Sequence, residues 1–229
     1  MTVVSDGRVR PAMVADSGAE WGALVDQALF GLHHALNNRI GSLSALVELQ
    51  QLGDLPPDGT PFETMAADVA RLNDCNRMVR LLPRDDIAGE EAVLITDVLA
   101  DVLAIHRFLH QVRDTAVTVV PTPFVEPIRV ERWALVRVLT LLLADVKRQA
   151  REGGQAVQVV MESGESLVRI EFCAAGPIPD ESSEVDPAAV ADRYADRLAM
   201  ALGGLVTRRR GAAALQLPTL KARRAADRR

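Results

Sequence analysis

The side chains best placed for chemistry in this 229-residue chain are two adjacent histidines, His33 and His34. A free imidazole titrates near pH ~6.5, so its unprotonated nitrogen is an available nucleophile at neutral pH. Both histidines sit inside a helical pattern. Val25, Leu29, Leu32, Leu36, Leu43 and Val47 recur at helical spacing and form one apolar stripe. Successive helical residues lie about 100° apart, so the two imidazoles cannot both enter that stripe, and at least one reaches water. Asn38 stands one turn after His34 and shares its face. Other reactive groups are less promising. His106 and His110 are one turn apart, a spacing for two metal ligands, but no third ligand is near and a packing role is favoured. Cys75 and Cys173 have neither metal spacing nor a CxxC pattern.

Positioning these histidines requires a helix from about Ser17 to Leu52. The stretch Gly53-Asp-Leu-Pro-Pro-Asp-Gly59 stops it. Thr60, Pro61 and Glu63 then form a good helix start, and Phe62, Met65, Val69, Leu72, Val79 and Leu82 give the second helix its own stripe. Residues 18–82 thus read as an antiparallel helical hairpin. One hairpin buries its stripes poorly, so a homodimeric four-helix bundle is expected. Residues 1–17 read as a flexible leader and 83–91 as a linker. From 92 to 218 the pattern mixes strands and helices. A short strand spans Ala92–Leu94, and a helix opening at Thr96 or Asp97 turns Val98, Val102, Ile105, Leu109 and Val112 inward. A strand follows over Thr115–Val120, then a long helix from Val130 to about Arg151 closed by Gly153-Gly154. Paired strands cover Ala156–Met161 and Ser166–Cys173. A helix runs from Asp186-Pro187 to about Leu202, and a hairpin over Leu205–Arg209 and Ala213–Leu217 closes the unit. Residues 219–229 form a basic tail, expected to be frayed and solvated. The fold class is α+β: a helical hairpin followed by a two-layer α/β sandwich.

Composition excludes several function classes. The net charge of −5 offers no basic field for nucleic acid. No apolar run is long enough to cross a membrane, and no signal-peptide pattern opens the chain. The two cysteines suit a reducing cytoplasm, which is the expected location.

The segment His34-Ala-Leu-Asn-Asn-Arg-Ile resembles the H-box of bacterial sensor histidine kinases. Leu36, Asn37, Asn38 and Ile40 fit the slots after the phosphorylated histidine, and Leu43 fits the next core position. Two residues depart from the pattern: Ala35 replaces an acidic residue, and Arg39 stands where proline is common. From near Val93 onward the layout resembles the ATP-binding domain of histidine kinases and other GHKL ATPases. There Asp145 takes the place of the Mg²⁺-holding Asn on the long helix. Ala174-Ala-Gly176-Pro-Ile-Pro179 resembles the Asp-Asn-Gly-Pro-Gly-Ile-Pro loop, with Ala174 in place of the adenine-reading Asp and one glycine missing. Ala174 cannot accept a hydrogen bond from adenine. The spacing from Pro179 to Pro187 leaves no room for an ATP lid, and the Gly-rich start of the next helix has become Pro187-Ala-Ala-Val190.

These resemblances imply a histidine phosphotransferase with a degenerate ATP site. His34 would be the phosphoacceptor, and Asn38 would orient the phosphoryl group or a water. The chain would bind no cofactor itself, because Mg²⁺ would be supplied by the partner. Expected partners are receiver domains of response regulators and a hybrid histidine kinase. Two rivals stay open: a catalytically silent docking protein that regulates a receiver or kinase, and an atypical ATP-dependent histidine kinase.

Overall fold

The computed structural model describes residues 19–53, 60–82, 89–109, 111–122, 124–176 and 193–226. The leader, His110, the Pro177–Pro187 stretch and the start of the helix expected at Pro187 lie outside the described residues.

Two helices open the chain, α1 (Ala19–Leu52) and α2 (Thr60–Leu81). They pair as the hairpin expected from their stripes, but the hairpin is not uniform along its length. At its base Trp21, Leu24, Val25, Ala28 and Leu32 of α1 are buried, as are Cys75, Met78 and Leu81 of α2. These belong to the same continuous core as the rest of the protein. Toward the tip, Leu36, Leu43, Met65 and Leu72 are half-buried. Leu29, Val47, Phe62, Val69 and Val79 are exposed, Phe62 at 69%. A single chain therefore covers only part of the stripes.

The α/β unit begins with β1 (Glu91–Val93), followed by α3 (Ile95–His106), β2 (Val117–Val119), β3 (Ile128–Val130) and α4 (Arg132–Glu152). Strands β4 (Val157–Ser163) and β5 (Leu167–Ala174), helix α5 (Tyr194–Ala201), and strands β6 (Leu205–Arg209) and β7 (Ala212–Pro218) complete it. The main sheet has the order β2-β4-β5-β7-β6. Only the β2–β4 pair is parallel. β1 and β3 form a separate antiparallel ribbon. Alternation explains the central strands: Val157, Val159 and Met161, with Val168, Ile170 and Phe172, point to the core. Helix α4 carries so many Leu and Val residues because it is the central core helix, with Leu135, Val138, Leu139, Leu142 and Leu143 fully buried. The Glu131 carboxylate caps it by accepting from the Trp133 and Ala134 amides, and Gly154 ends it at φ +66°.

Three differences from the sequence reading have physical causes. Val130 pairs with Glu91 in the β1–β3 ribbon, so the long helix starts at Arg132, not Val130. Leu109 and Val112 are buried as expected, but α3 stops at His106 and they lie in the turns that follow. The tail beyond Pro218 is not frayed over its described part. Thr219 is fully buried and its hydroxyl accepts from the Ala222 amide, starting helix α6 (Leu220–Ala226). Arg223 of that helix pairs with Glu90 and donates to the Leu202 carbonyl.

Two further contacts fasten the hairpin to the α/β unit. The buried Asp101 of α3 accepts from Arg77 of α2 at 2.9 Å and from Arg132 of α4 at 2.7 Å. The Arg137 guanidinium lies 5.7 Å from the centroid of the Trp21 ring, within cation–π range.

Candidate functional site

His34 lies on the exposed side of α1, just beyond the packed base of the hairpin. The chain passes unusually close behind it. At Gly31 an added Cβ would run into the backbone carbonyl of Phe108, so only glycine lets the turn after α3 approach α1. That turn is firmly held. The Phe108 and Leu109 amides donate back to Ile105 and His106, Leu109 and Val112 are buried, and Arg151 of α4 donates to the Gln111 carbonyl. Below it the buried His106 donates from Nε2 to the Thr140 carbonyl at 3.1 Å. Burial and the nearby Lys147 push this imidazole down to about 3, so it is a neutral packing group.

The approach of turn and helix encloses a hollow of about 280 Å³ lined by Phe30, His34, Asn38, Arg39, Arg107 and Arg113, with Gly31, Ala35 and Phe108 between them. No carboxylate lines it among the described residues. Asn38 Nδ2 donates to His34 Nε2 at 3.3 Å. This bond forms in the tautomer that carries its proton on Nδ1 and leaves a lone pair on Nε2. His33 is served separately by Asn37, whose amide lies 3.4 Å from both ring nitrogens, and it does not line the hollow. The i,i+4 geometry thus gives each histidine its own asparagine and directs only His34 toward the arginines.

Ala35 is half-buried against the core. With Arg39, Arg107 and Phe108 it forms the partition between this hollow and a second one of about 440 Å³. Arg39 is aimed from the other side of the hairpin: its Nη1 donates to the buried Asp68 of α2 at 3.1 Å, and Arg71 shares that carboxylate at 3.5 Å. The Ser42 hydroxyl and Arg39 hold the Asp68 carboxyl below the usual range, against the opposing effect of its burial.

The residues in the positions of an ATP site are arranged differently. Asp145 of α4 is paired with Arg148 at 3.3 Å, Arg193 at 3.3 Å and Arg208 at 3.2 Å. Arg208 is buried and also holds Asp196 of α5 at 3.0 Å. One turn further along α4, Gln149 accepts from the Gly211 amide. Gln149, Gly153, Gln155, Ala174, Arg209 and Gly211 line a hollow of about 410 Å³. Asp145 does not line it. The Gln155 side chain packs so closely on Gly176 that a Cβ there would collide with it. Asp145 is therefore held by three guanidinium groups, and Ala174 presents a methyl to the hollow.

Of the other sequence candidates, Cys75 is buried and Cys173 half-buried, and burial pushes both thiols up, which keeps them protonated. Among the described residues no group of three or more His, Cys, Asp or Glu is placed to hold a metal ion. No helix among them is long and apolar enough to cross a membrane. The sequence reading pointed to His34 and Asn38, whose side chains lie 3.3 Å apart, and did not bring Arg107 or Arg113 beside them. Its available signal was Gly31, a glycine inside a long helix, which costs about 1 kcal/mol relative to alanine and so flags a close approach.

No protein-family model matches this chain, and comparison with curated proteins gives no match. Solved structures do show likeness. The histidine kinase AdeS of Acinetobacter baumannii matches 81% of this chain and 96% of its own, at 16% identity and a TM-score of 0.40. The ATP-binding domain of PrrB from Mycobacterium tuberculosis matches 58% of this chain and 97% of its own, at 22% identity and a TM-score of 0.41. The histidine kinase ThkA, solved in complex with the response regulator protein TrrA, matches 91% of this chain and 66% of its own, at 12% identity and a TM-score of 0.44.

Proposed function

We propose that this chain is a histidine phosphotransferase that passes phosphoryl groups between receiver aspartates of response regulators through His34. The observation that carries the reading is the pairing of His34 Nε2 with the Asn38 amide at the edge of an arginine-lined hollow free of carboxylates among the described residues. The neutral imidazole attacks phosphorus through Nε2. The N–P bond forms as the P–O bond of the acyl phosphate breaks, and the receiver carboxylate leaves with the electron pair. Transfer to a second receiver reverses these events. Asn38 holds the Nδ1-protonated tautomer in the resting chain, frees the Nε2 lone pair as the receiver docks, and then turns its amide to a phosphoryl oxygen. Mg²⁺ and the acidic residues belong to the receiver, so this chain contributes an aimed imidazole. Ala35 removes the carboxylate that would raise imidazole basicity, a loss an acyl phosphate donor tolerates better than ATP does.

The reading includes a homodimer through the hairpin, supported by the exposure of Leu29, Val47, Phe62, Val69 and Val79 in the single chain. Light scattering at micromolar concentration is expected to give twice the chain mass, and a monomeric mass would overturn that part.

The functional test compares His33→Ala and His34→Ala, each incubated with a phosphorylated receiver after retained helicity has been verified. Wild type and His33→Ala should take up label, and His34→Ala should not. Label surviving in both variants sinks the phosphotransferase and favours the silent docking module. Label arriving on the purified chain from Mg-ATP alone selects the kinase instead.

A further inference from the structure

We infer that Arg107 and Arg113, together with Arg39, form an anion seat that receives the phosphoryl group at His34; its ligand rests on the phosphotransferase reading. The seat is built from two parts of the chain that are remote in sequence. Arg39 comes from α1 and is oriented by the buried Asp68. Arg107 is the C-cap that follows α3, and the Arg113 amide donates back to the Leu109 carbonyl in the turns beyond it. Their approach to His34 depends on Gly31, whose missing side chain lets the Phe108 carbonyl rest against α1.

Charge accounting shows why this hollow suits an anion. Arg107 has no carboxylate partner among the described residues. Among the described residues Arg113 has only its exposed neighbour Asp114 as an ion-pair partner, at 3.5 Å, a pair of little strength in water. Arg39 and Arg71 share the single carboxylate of Asp68. Three guanidinium groups line the hollow, and the two carboxylates that meet Arg39 and Arg113 lie outside it. The adjoining hollow beyond Ala35 adds Asp74 and Arg77, and Arg77 is committed to Asp101. In a chain of net charge −5 this is a local concentration of positive charge at His34, the one histidine among the described residues that lines the hollow. Guanidinium groups remain charged at any working pH and match phosphoryl oxygens in pairs. In the transfer step they would stabilise the three equatorial oxygens while the Asn38 amide and His34 hold the line of attack.

The test uses the full chain and two readouts. Inorganic phosphate is titrated while the ring signals of His34 and the guanidinium signals of Arg107 are followed by NMR. Saturable shifts are expected in wild type and their loss in Arg107→Gln/Arg113→Gln. In parallel, transfer from a phosphorylated receiver is timed at saturating receiver. The double variant should transfer about tenfold more slowly or worse, with receiver affinity changed much less, and Arg107→Lys should recover part of the rate. Gly31→Ala, which displaces the turn without altering charge, should lower phosphate binding as well. Wild-type rates in the double variant, or a loss confined to receiver affinity, would overturn the seat while leaving the phosphotransferase intact. Phosphate binding at the hollow of a chain that no receiver labels would overturn the phosphotransferase and leave the seat standing. Absence of both signals overturns both.

Discussion

Two corners of this molecule are rich in arginine, and they use it in opposite ways. Around Asp145 the arginines turn inward: Arg208 is only 6% exposed, bridges Asp145 and Asp196, and Arg193 and Arg148 complete the neutralisation. Around His34 they turn toward an open hollow, and Arg107 is exposed and unpaired among the described residues. In the first corner each of these guanidinium groups meets a carboxylate, while Asp196 Oδ1 and Arg208 Nε stay buried without a hydrogen-bond partner. The second is unsatisfied and available. An arginine count alone would not separate them; the location of the carboxylates does.

The strongest way to break this contrast is to remove Arg208. Arg208→Ala takes the guanidinium from the buried Asp196 and leaves Asp145 with Arg148 and Arg193, and should cost about 3 kcal/mol of folding stability in a denaturant titration. A loss well below 1 kcal/mol would mean that the corner is not the closed structural knot described. A smaller handle lies beneath the open corner, in His106. Its imidazole titrates at about 3 in the folded chain against an ordinary value of 6.5. Between those values the unfolded chain binds a proton that the folded chain does not, so stability falls as pH is lowered through that window. From pH 7 to pH 5 the fall from this group is about 2 kcal/mol. Comparing wild type with His106→Leu at both pH values isolates it: the variant should lose that part of the pH dependence, and an unchanged pH dependence would refute the buried neutral state. The smallest effect sharpens the comparison most. Arg107→Gln should alter stability by less than about 0.5 kcal/mol, as for an exposed side chain without a partner. A cost comparable to that of Arg208→Ala would erase the distinction between the two corners.

Much of this architecture was legible in the sequence because its signals are local. The hairpin helices, the Leu- and Val-rich α4 with its Gly153-Gly154 end, and the alternating strands around Ser163-Gly164-Glu165 each advertise themselves over a few residues. So does the His34–Asn38 pair, one helical turn apart. The missed features depend on distant partners. β3 is three residues between Pro127 and Glu131 and exists only because β1 pairs with it. Helix α6 follows a proline in an arginine-rich run with few apolar residues, and Glu90, the Leu202 carbonyl and the buried Thr219 hold it. Arg107 and Arg113 sit in turns with no pattern of their own, and only folding carries them to α1. The apolar stripes, read as the faces of a homodimer, are only partly covered in the single chain. In the single chain the base of the hairpin meets the α/β unit while Phe62, Val69 and Val79 stay exposed, because one hairpin has only one neighbour.

The contact between Gly31 and the Phe108 carbonyl also limits how this protein can be taken apart. A hairpin transplanted onto another scaffold would carry His34, Asn38 and Arg39 with it, yet leave Arg107 and Arg113 behind. The histidine and half of its surroundings would then be inherited separately. The hollow at His34 is thus not a module bounded in sequence but a seam between two, and a chimera that respects the apparent domain boundary would cut through the middle of it.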